Sequence, residues 1–346
     1  MEEKLTPAGT GSNFTLVKNS ECAACGSVDA PKQIGLVYDH EYRSTEIEFP
    51  MVRCTRCGLV YLDPRPDVSE LPRIYPPAYY SYHLTANAPA ENSQGRASYV
   101  QTLFHRRNLK AMRAKLARSG IQLDSFSRPV RILDVGCGVG AQLDLFKALL
   151  PSAELHGVDI GELAVERTRA RGHTGYLGRF EEIDLPTDYF DIVYSAHVIE
   201  HVDDPKAFLA KCRLVSAANA TIIIETPNTD CIEFESLKGR HWGGYHAPRH
   251  FYLFNPENMN TMVERIGLKT IVAQPYTCSI FWNWTCHSLL MKVAGSRIAD
   301  ALFPPITIFY GGIRSFVLLG GFSVLESIIL RITGRASAFW IAFSRP

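Results

Sequence analysis

Charge of one sign is missing from this sequence: 36 lysines and arginines face 35 aspartates and glutamates, a net charge of +1. So balanced a chain sets up no global field for a polyanion, so no DNA partner is expected and RNA is disfavoured. An apolar leader is missing too. Met1-Glu2-Glu3-Lys4 is polar and acidic, so no export signal is expected and the cytoplasm is the expected compartment. Internal repeats and low-complexity tracts are absent. A disulfide framework is not expected either. Of nine cysteines, four fall in two Cys-x-x-Cys pairs and five are scattered, which argues for metal binding and reduced thiols. What remains is a chain with 46% hydrophobic residues, able to build a core over 346 residues as two domains or one large domain with additions.

From residue 130 onward the pattern alternates. Residues 130–135, 156–160, 191–195 and 221–225 read as strands; 141–150, 162–171 and 205–216 read as helices. Such alternation means a parallel sheet with right-handed crossovers, an α/β fold. A helix at 256–266 and strands at 269–273 and 338–343 follow, the two strands forming an antiparallel edge pair interrupted by a long apolar insert. The boundaries read as a metal-binding module with a frayed start (1–66), a linker and helical cap (67–128), a core (129–280), an apolar helical insert (281–335) and a final strand (336–346).

The first core strand ends in Asp134-Val135-Gly136-Cys137-Gly138-Val139-Gly140. Glycines there permit a tight turn and close approach of a ligand to the backbone, at the sheet edge where such folds bind ligands. Gly136, Gly138 and Ala141 also fit a dinucleotide loop. Asp134 speaks against a pyrophosphate and for a cationic ligand. Asp159 ends the second strand, where it can accept ribose hydroxyls, and Ile160 beside it can cover an adenine.

These stretches, with Phe190-Asp191-Ile192-Val193 and Glu200-His201-Val202-Asp203-Asp204-Pro205, closely resemble the class I S-adenosylmethionine (SAM)-dependent methyltransferases over about residues 130–275. The resemblance implies a Rossmann-like seven-stranded sheet and SAM as cofactor. Gly136, Gly138 and Gly140 would pass its methionine and ribose, Asp159 would bind the ribose, and Phe180 would lie near adenine. Cys137, Ser195 and Tyr80 complete the expected cofactor set. A nicotinamide oxidoreductase is disfavoured by Asp134 and the Glu200-His201 segment.

Methyl transfer to a hydroxyl or carbon acid needs help in removing a proton. His197, Glu200 and His201 stand at helical spacing after the fourth strand, and a second cluster, Trp242 to Phe254, carries His246 and His250. The first resembles the Glu-x-x-Glu-His motif of ubiquinone-pathway O-methyltransferases and small-RNA 2′-O-methyltransferases, which implies a second, divalent metal; here the first glutamate is His197. The second resembles the deoxysugar C-methyltransferases, which implies His250 as general base; Arg249 stands where they carry a glutamate.

Cys22-Ala23-Ala24-Cys25-Gly26 and Cys54-Thr55-Arg56-Cys57-Gly58 read as two knuckles of one closed structural Zn2+ site. The following Leu59 to Pro66 and Tyr79-Tyr80 resemble the same module in bacterial methyltransferases of glycan and natural-product loci. From 281 to 334 the chain is apolar, but its charge-free stretches at 301–313 and 315–325 fall short of the ~20 residues of a span and are interrupted by Pro304, Pro305, Gly320 and Gly321. An interfacial hairpin on the inner face of a membrane, or a homodimer surface, is expected there. The expected acceptor is a small molecule, a sugar or a lipid-linked intermediate.

Overall fold

The computed structural model describes residues 4–5, 14–75, 79, 99–123, 126–237, 239–310 and 312–345. Tyr80 and most of the expected linker lie outside them. The N-terminal part holds short strands β1 (Lys4–Leu5), β2 (Leu16–Val17), β3 (Lys32–Val37), β4 (Phe49–Arg53), β5 (Val60–Leu62) and β6 (Arg65–Pro66), then helices α1 (Leu71–Ile74) and α2 (Tyr99–Arg118). The core follows as β7 (Arg131–Val135), α3 (Ala141–Leu149), β8 (Glu154–Asp159), α4 (Glu162–Ala170), β9 (Thr174–Leu177), β10 (Phe190–Ala196), α5 (Pro205–Val215) and β11 (Ser216–Pro227). Then come α6 (Ile232–Leu237), β12 (Tyr252–Leu253), α7 (Pro256–Arg265) and β13 (Lys269–Tyr276). The chain closes with α8 (Ser279–Ala294), α9 (Ser296–Leu302), α10 (Ile313–Thr333) and β14 (Ala338–Ser344).

The main sheet has seven strands in the order β13-β14-β11-β10-β7-β8-β9. Its central strands are near-continuous apolar runs, such as Ile132-Leu133 in β7 and Ile222-Ile223-Ile224 in β11, because helices cover both faces. β14 runs antiparallel to both β11 and β13, so it is the reversed strand, inserted one place inside the edge. Strand β9 was not expected; it is four residues long and contains Gly175, too short for a clear period. Helix α5 starts where local chemistry dictates: the Asp204 carboxylate accepts from Ala207 N at 2.9 Å and Pro205 takes the first turn.

Two expectations are corrected. Residues 197–204 form turns and bends, not a helix. His197 has a left-handed φ of 55°, which ends any helical continuation from β10. And Gly320 with Gly321 does not break the insert: α10 runs unbroken through both. Each glycine costs such a helix about 1 kcal/mol, and the helix is held along its length by packing on α8.

The N-terminal module is fused to the core. Its sheet has the order β12-β5-β4-β3, so a strand from the core completes it. Tyr252 pairs with Tyr61 across that join, the rings stacked at 6.2 Å.

Candidate active site

The glycine loop lies between β7 and α3. Gly136, Gly138 and Gly140 all have positive φ. At Gly136 a Cβ would stand 2.3 Å from Val198 Cγ2, so only glycine fits there. The Asp159 carboxylate accepts from Gly138 N at 2.9 Å and from Gly161 N at 2.8 Å. Burial raises its pKa, and these amides pull part of that back. Asp134 is 3% exposed; burial first, then the charges of Asp159 and Glu225, push its pKa well up.

A cavity of about 450 Å³ opens against this loop. Gly136, Asp159, Ile160 and Phe180 line one part of it, and His197, His201, Tyr75 and Tyr79 line another. Phe180 is held edge-on to Phe208 at 5.3 Å. Five residues of the expected cofactor set, Asp134, Cys137, Gly138, Gly140 and Ser195, are not among those that line it. Cys137 Sγ is buried between sheet and helix, 3.7 Å from Thr168 Oγ1. Ser195 is fully buried, and its hydroxyl has no hydrogen-bond partner among the described residues.

The histidines form layers behind the cavity. His201 faces it. His201 Nδ1 lies 3.1 Å from Arg249 O and 2.9 Å from the Tyr75 hydroxyl. His250 is buried behind, its ring 4.6 Å from that of His201, with Nδ1 donating to Gly244 O at 2.8 Å. His246 comes next, 5.0 Å from His250 and stacked on Trp284 at 4.6 Å. Burial lowers His201 to about 4, and burial again, reinforced by neighbouring cations or histidines, puts His246 and His250 well below an ordinary imidazole. All three are therefore neutral near pH 7.

His197 plays a different part. Its Nδ1 lies 3.1 Å from Glu200 Oε1 and its Nε2 2.8 Å from the Tyr276 hydroxyl. Glu200 is buried; burial would raise its pKa, but the His197 contact overrides this and lowers it. The other Glu200 oxygen accepts from Thr226 at 3.1 Å. The group whose ligand atoms converge within 4.8 Å is Glu200, His201 and His250. The expected trio of His197, Glu200 and His201 is not brought together in that way.

Sequence reasoning missed the residues that close the cluster from outside. The loop between β3 and β4 carries Asp39, His40 and Glu41, three titratable residues in a row, and all three are buried. Glu41 Oε2 touches His246 Nδ1. Burial raises Glu41 to about 7. Asp39 takes Arg249 in a two-pronged pair at 2.8 and 3.2 Å, with neither side chain exposed. Burial would raise Asp39; the guanidinium prevails and holds it below the ordinary carboxylate range. Arg249 also donates to Ala247 O at 3.1 Å and lies 4.3 Å over the Tyr42 ring. Tyr75 and Tyr276 carried no motif and were missed as well.

The four module cysteines converge. Cys22 and Cys57 sulfurs are 3.5 Å apart, Cys25 and Cys54 sulfurs 3.7 Å, and all four lie within 4.8 Å. A zinc tetrahedron with ~2.3 Å bonds has sulfur–sulfur edges of roughly 3.8 Å, so the donor set fits that ion. The two knuckles match: Gly26 N donates to Cys22 O at 2.8 Å and Gly58 N to Cys54 O at 3.1 Å.

A family profile described as a methyltransferase domain matches residues 101–273, half of the chain. The chain is similar to a ubiquinone biosynthesis O-methyltransferase of Bradyrhizobium sp. (strain ORS 278), 31% identical over 126 residues, 35% of this chain and 48% of that protein. It is also similar to a probable chloroplastic tocopherol O-methyltransferase of Oryza sativa subsp. japonica, 29% identical over 245 residues, 62% of this chain and 67% of that one. The chain spans about half the length of the first of these relatives. Among solved structures, a SAM dependent methyltransferase from Archaeoglobus fulgidus is 20% identical, with 71% of this chain and 100% of that chain covered at a TM-score of 0.43.

The buried pair gives a direct prediction. Arg249→Met should cost about 3–5 kcal/mol in urea unfolding, because Asp39 is left charged and buried. Asp39→Asn with Arg249→Met should cost clearly less than the two single changes summed. Additive costs would mean that the two side chains do not interact.

Proposed function

Because the chain belongs to the class I SAM-dependent methyltransferases, we propose that it methylates an oxygen or carbon of a small-molecule, sugar or lipid-linked acceptor, with a neutral histidine taking the acceptor proton. The observation that carries this reading is that one cavity joins the glycine loop and Asp159 to His201. Asp159 would hold the ribose and Ile160 and Phe180 the adenine. Asp134, kept protonated by burial and by Asp159, would ionise when the cationic cofactor arrives.

Transfer breaks the S–CH₃ bond, its electrons stay on sulfur, and the acceptor lone pair or carbanion forms the new bond. The enzyme's task is alignment, water exclusion and removal of one proton. With Nδ1–H of His201 given to Arg249 O, Nε2 keeps the lone pair and takes that proton. His250, one ring behind, and Glu41, through His246, would position and polarise it. RNA as acceptor finds little support: the chain has a net charge of +1.

A second reading has one observation in its favour. Glu200, His201 and His250 offer ligand atoms within 4.8 Å, a set that fits a divalent metal. Such an ion would polarise the acceptor oxygen as a Lewis acid. The four cysteines we assign to a separate structural Zn2+.

Calorimetry should detect SAM binding that Gly136→Ala abolishes. Affinity should rise with pH, since Asp134 must shed a proton to face a cation and burial raises its free-state pKa. Proton release that is absent in every buffer would overturn this role for Asp134. With a small phenolic acceptor, His201→Asn should lower kcat by about 10²–10⁴ while leaving SAM affinity intact. If a chelator stops turnover with the cysteine site still loaded, and added divalent ion restores it, the metal reading holds instead. Elemental analysis should find one zinc per chain, lost when Cys22 and Cys25 are both changed to serine. Protein that keeps the zinc after that change would rule out the four-thiolate site.

A further inference from the structure

The helices between β13 and β14 take no part in the cavity. Helix α10 has 21 residues, about 30 Å of length, and only 6% of its most apolar window is buried. Its inward side packs on α8 and contributes Ser315 and Glu326 as its buried residues. Outward it presents Phe316, Val317, Val324, Leu325, Ile328 and Ile332, with Phe316 64% exposed and Ile332 77% exposed. At 100° per residue, these side chains and the exposed Gly320, Gly321 and Ser327 cover about half of the helix circumference, with Arg314 and Arg331 entering the same half at its two ends. A half-cylinder of this kind is far larger than the scattered apolar residues of an ordinary soluble surface. Val293 on α8 and Leu302 on α9 add to it, 78% and 54% exposed.

Cations outnumber acids around this face. Between residues 289 and 335 stand Lys292, Arg297, Arg314, Arg331 and Arg335 against Asp300 and Glu326. Both acids are engaged: Asp300 with Arg43 and His287, Glu326 with Ser337. Lys292, Arg297, Arg314 and Arg331 form no ion pair among the described residues. Lys292 also lines a small cavity of about 270 Å³ with Tyr38, His241, Met291 and Arg240, the last paired with Glu48.

Helix α10 cannot cross a bilayer while the fold is intact. At its start Arg314 donates to the carbonyls of α9 residues Asp300 and Ala301. Near its end Glu326 accepts from Ser337 N at 2.8 Å, and β14 follows directly into the main sheet. Both ends are therefore held on the same body of protein. A second copy of the chain fits the face poorly, since a two-fold contact would bring like charges together.

We propose that α8, α9 and α10 dock this chain on an anionic lipid bilayer, with α10 lying in the plane of the surface, its apolar half among the acyl chains and the cations at the headgroups. The proposal is independent of the methyl-transfer chemistry. Full-length protein should co-sediment with vesicles of phosphatidylcholine containing about a third phosphatidylglycerol and far less with phosphatidylcholine alone, and high salt should release it. Phe316→Glu with Ile328→Glu should weaken binding at least tenfold with SAM affinity unchanged, which shows that the variant is folded. Lys292→Ala should weaken it about fivefold, the factor that corresponds to one surface cation. No binding to anionic vesicles would overturn the proposal, as would binding that the two glutamates leave unchanged. So would a dimer in solution that Phe316→Glu disperses and that does not sediment with vesicles.

Discussion

Arg249 and Asp39 are far apart in the sequence and meet with no solvent on either side chain. Much of the site's arrangement depends on this contact. Each charge alone would be intolerable at that depth, so the loop between β3 and β4 and the segment before β12 are obliged to stay together. The pair is poor value as a stabilising device, because an apolar pair of similar volume would do as well or better. Its effect is positional. It fixes Glu41 against His246 and lays Tyr42 under the guanidinium.

A layered histidine cluster follows from that enclosure. Burial makes His201, His246 and His250 neutral, hence free to accept a proton at neutral pH, but it also makes them weak bases. A base near a pKa of 4 works only on a proton that has already become acidic. Methylation creates such a proton: as the new bond forms, the acceptor oxygen takes on positive character. On the proposed reading, such a cluster would suit an acceptor whose proton leaves late, such as a phenol or enol. It would suit less well a weak carbon acid that must be ionised first.

The parts legible in the sequence were those that local rules dictate. Asp134 to Gly140 needs glycine for steric reasons, and two Cys-x-x-Cys turns announce a four-thiolate site. The strands β7, β10 and β11 are apolar runs that can only be central. What stayed hidden depends on packing between distant segments. Nothing local marks Glu41 as a neighbour of His246, or Tyr276 as a neighbour of His197. The helical reading of 197–201 failed because spacing carries no information about φ, and His197 turns left-handed. The sequence also pointed to His250 as a base; His197 and His201 line the cavity, and His250 lies one ring behind His201. Arg249, seen as a departure from a glutamate, proves to be the anchor of a loop that brings a different glutamate.

The cysteine site and the histidine cluster belong to one construction. The loop of residues 38–48 is the tip of the β3–β4 hairpin. Cys25 lies a few residues before β3, and Cys54 directly follows β4, so the four sulfurs clamp the hairpin at its base. Arg249 clamps it at the tip. A hairpin held at one end could still swing, and a swing of 1 Å would part Glu41 from His246. Held at both ends, it places a carboxylate as rigidly as a strand of the main sheet would. A metal at the four sulfurs, though closed to chemistry itself, would then act on the reaction through geometry alone.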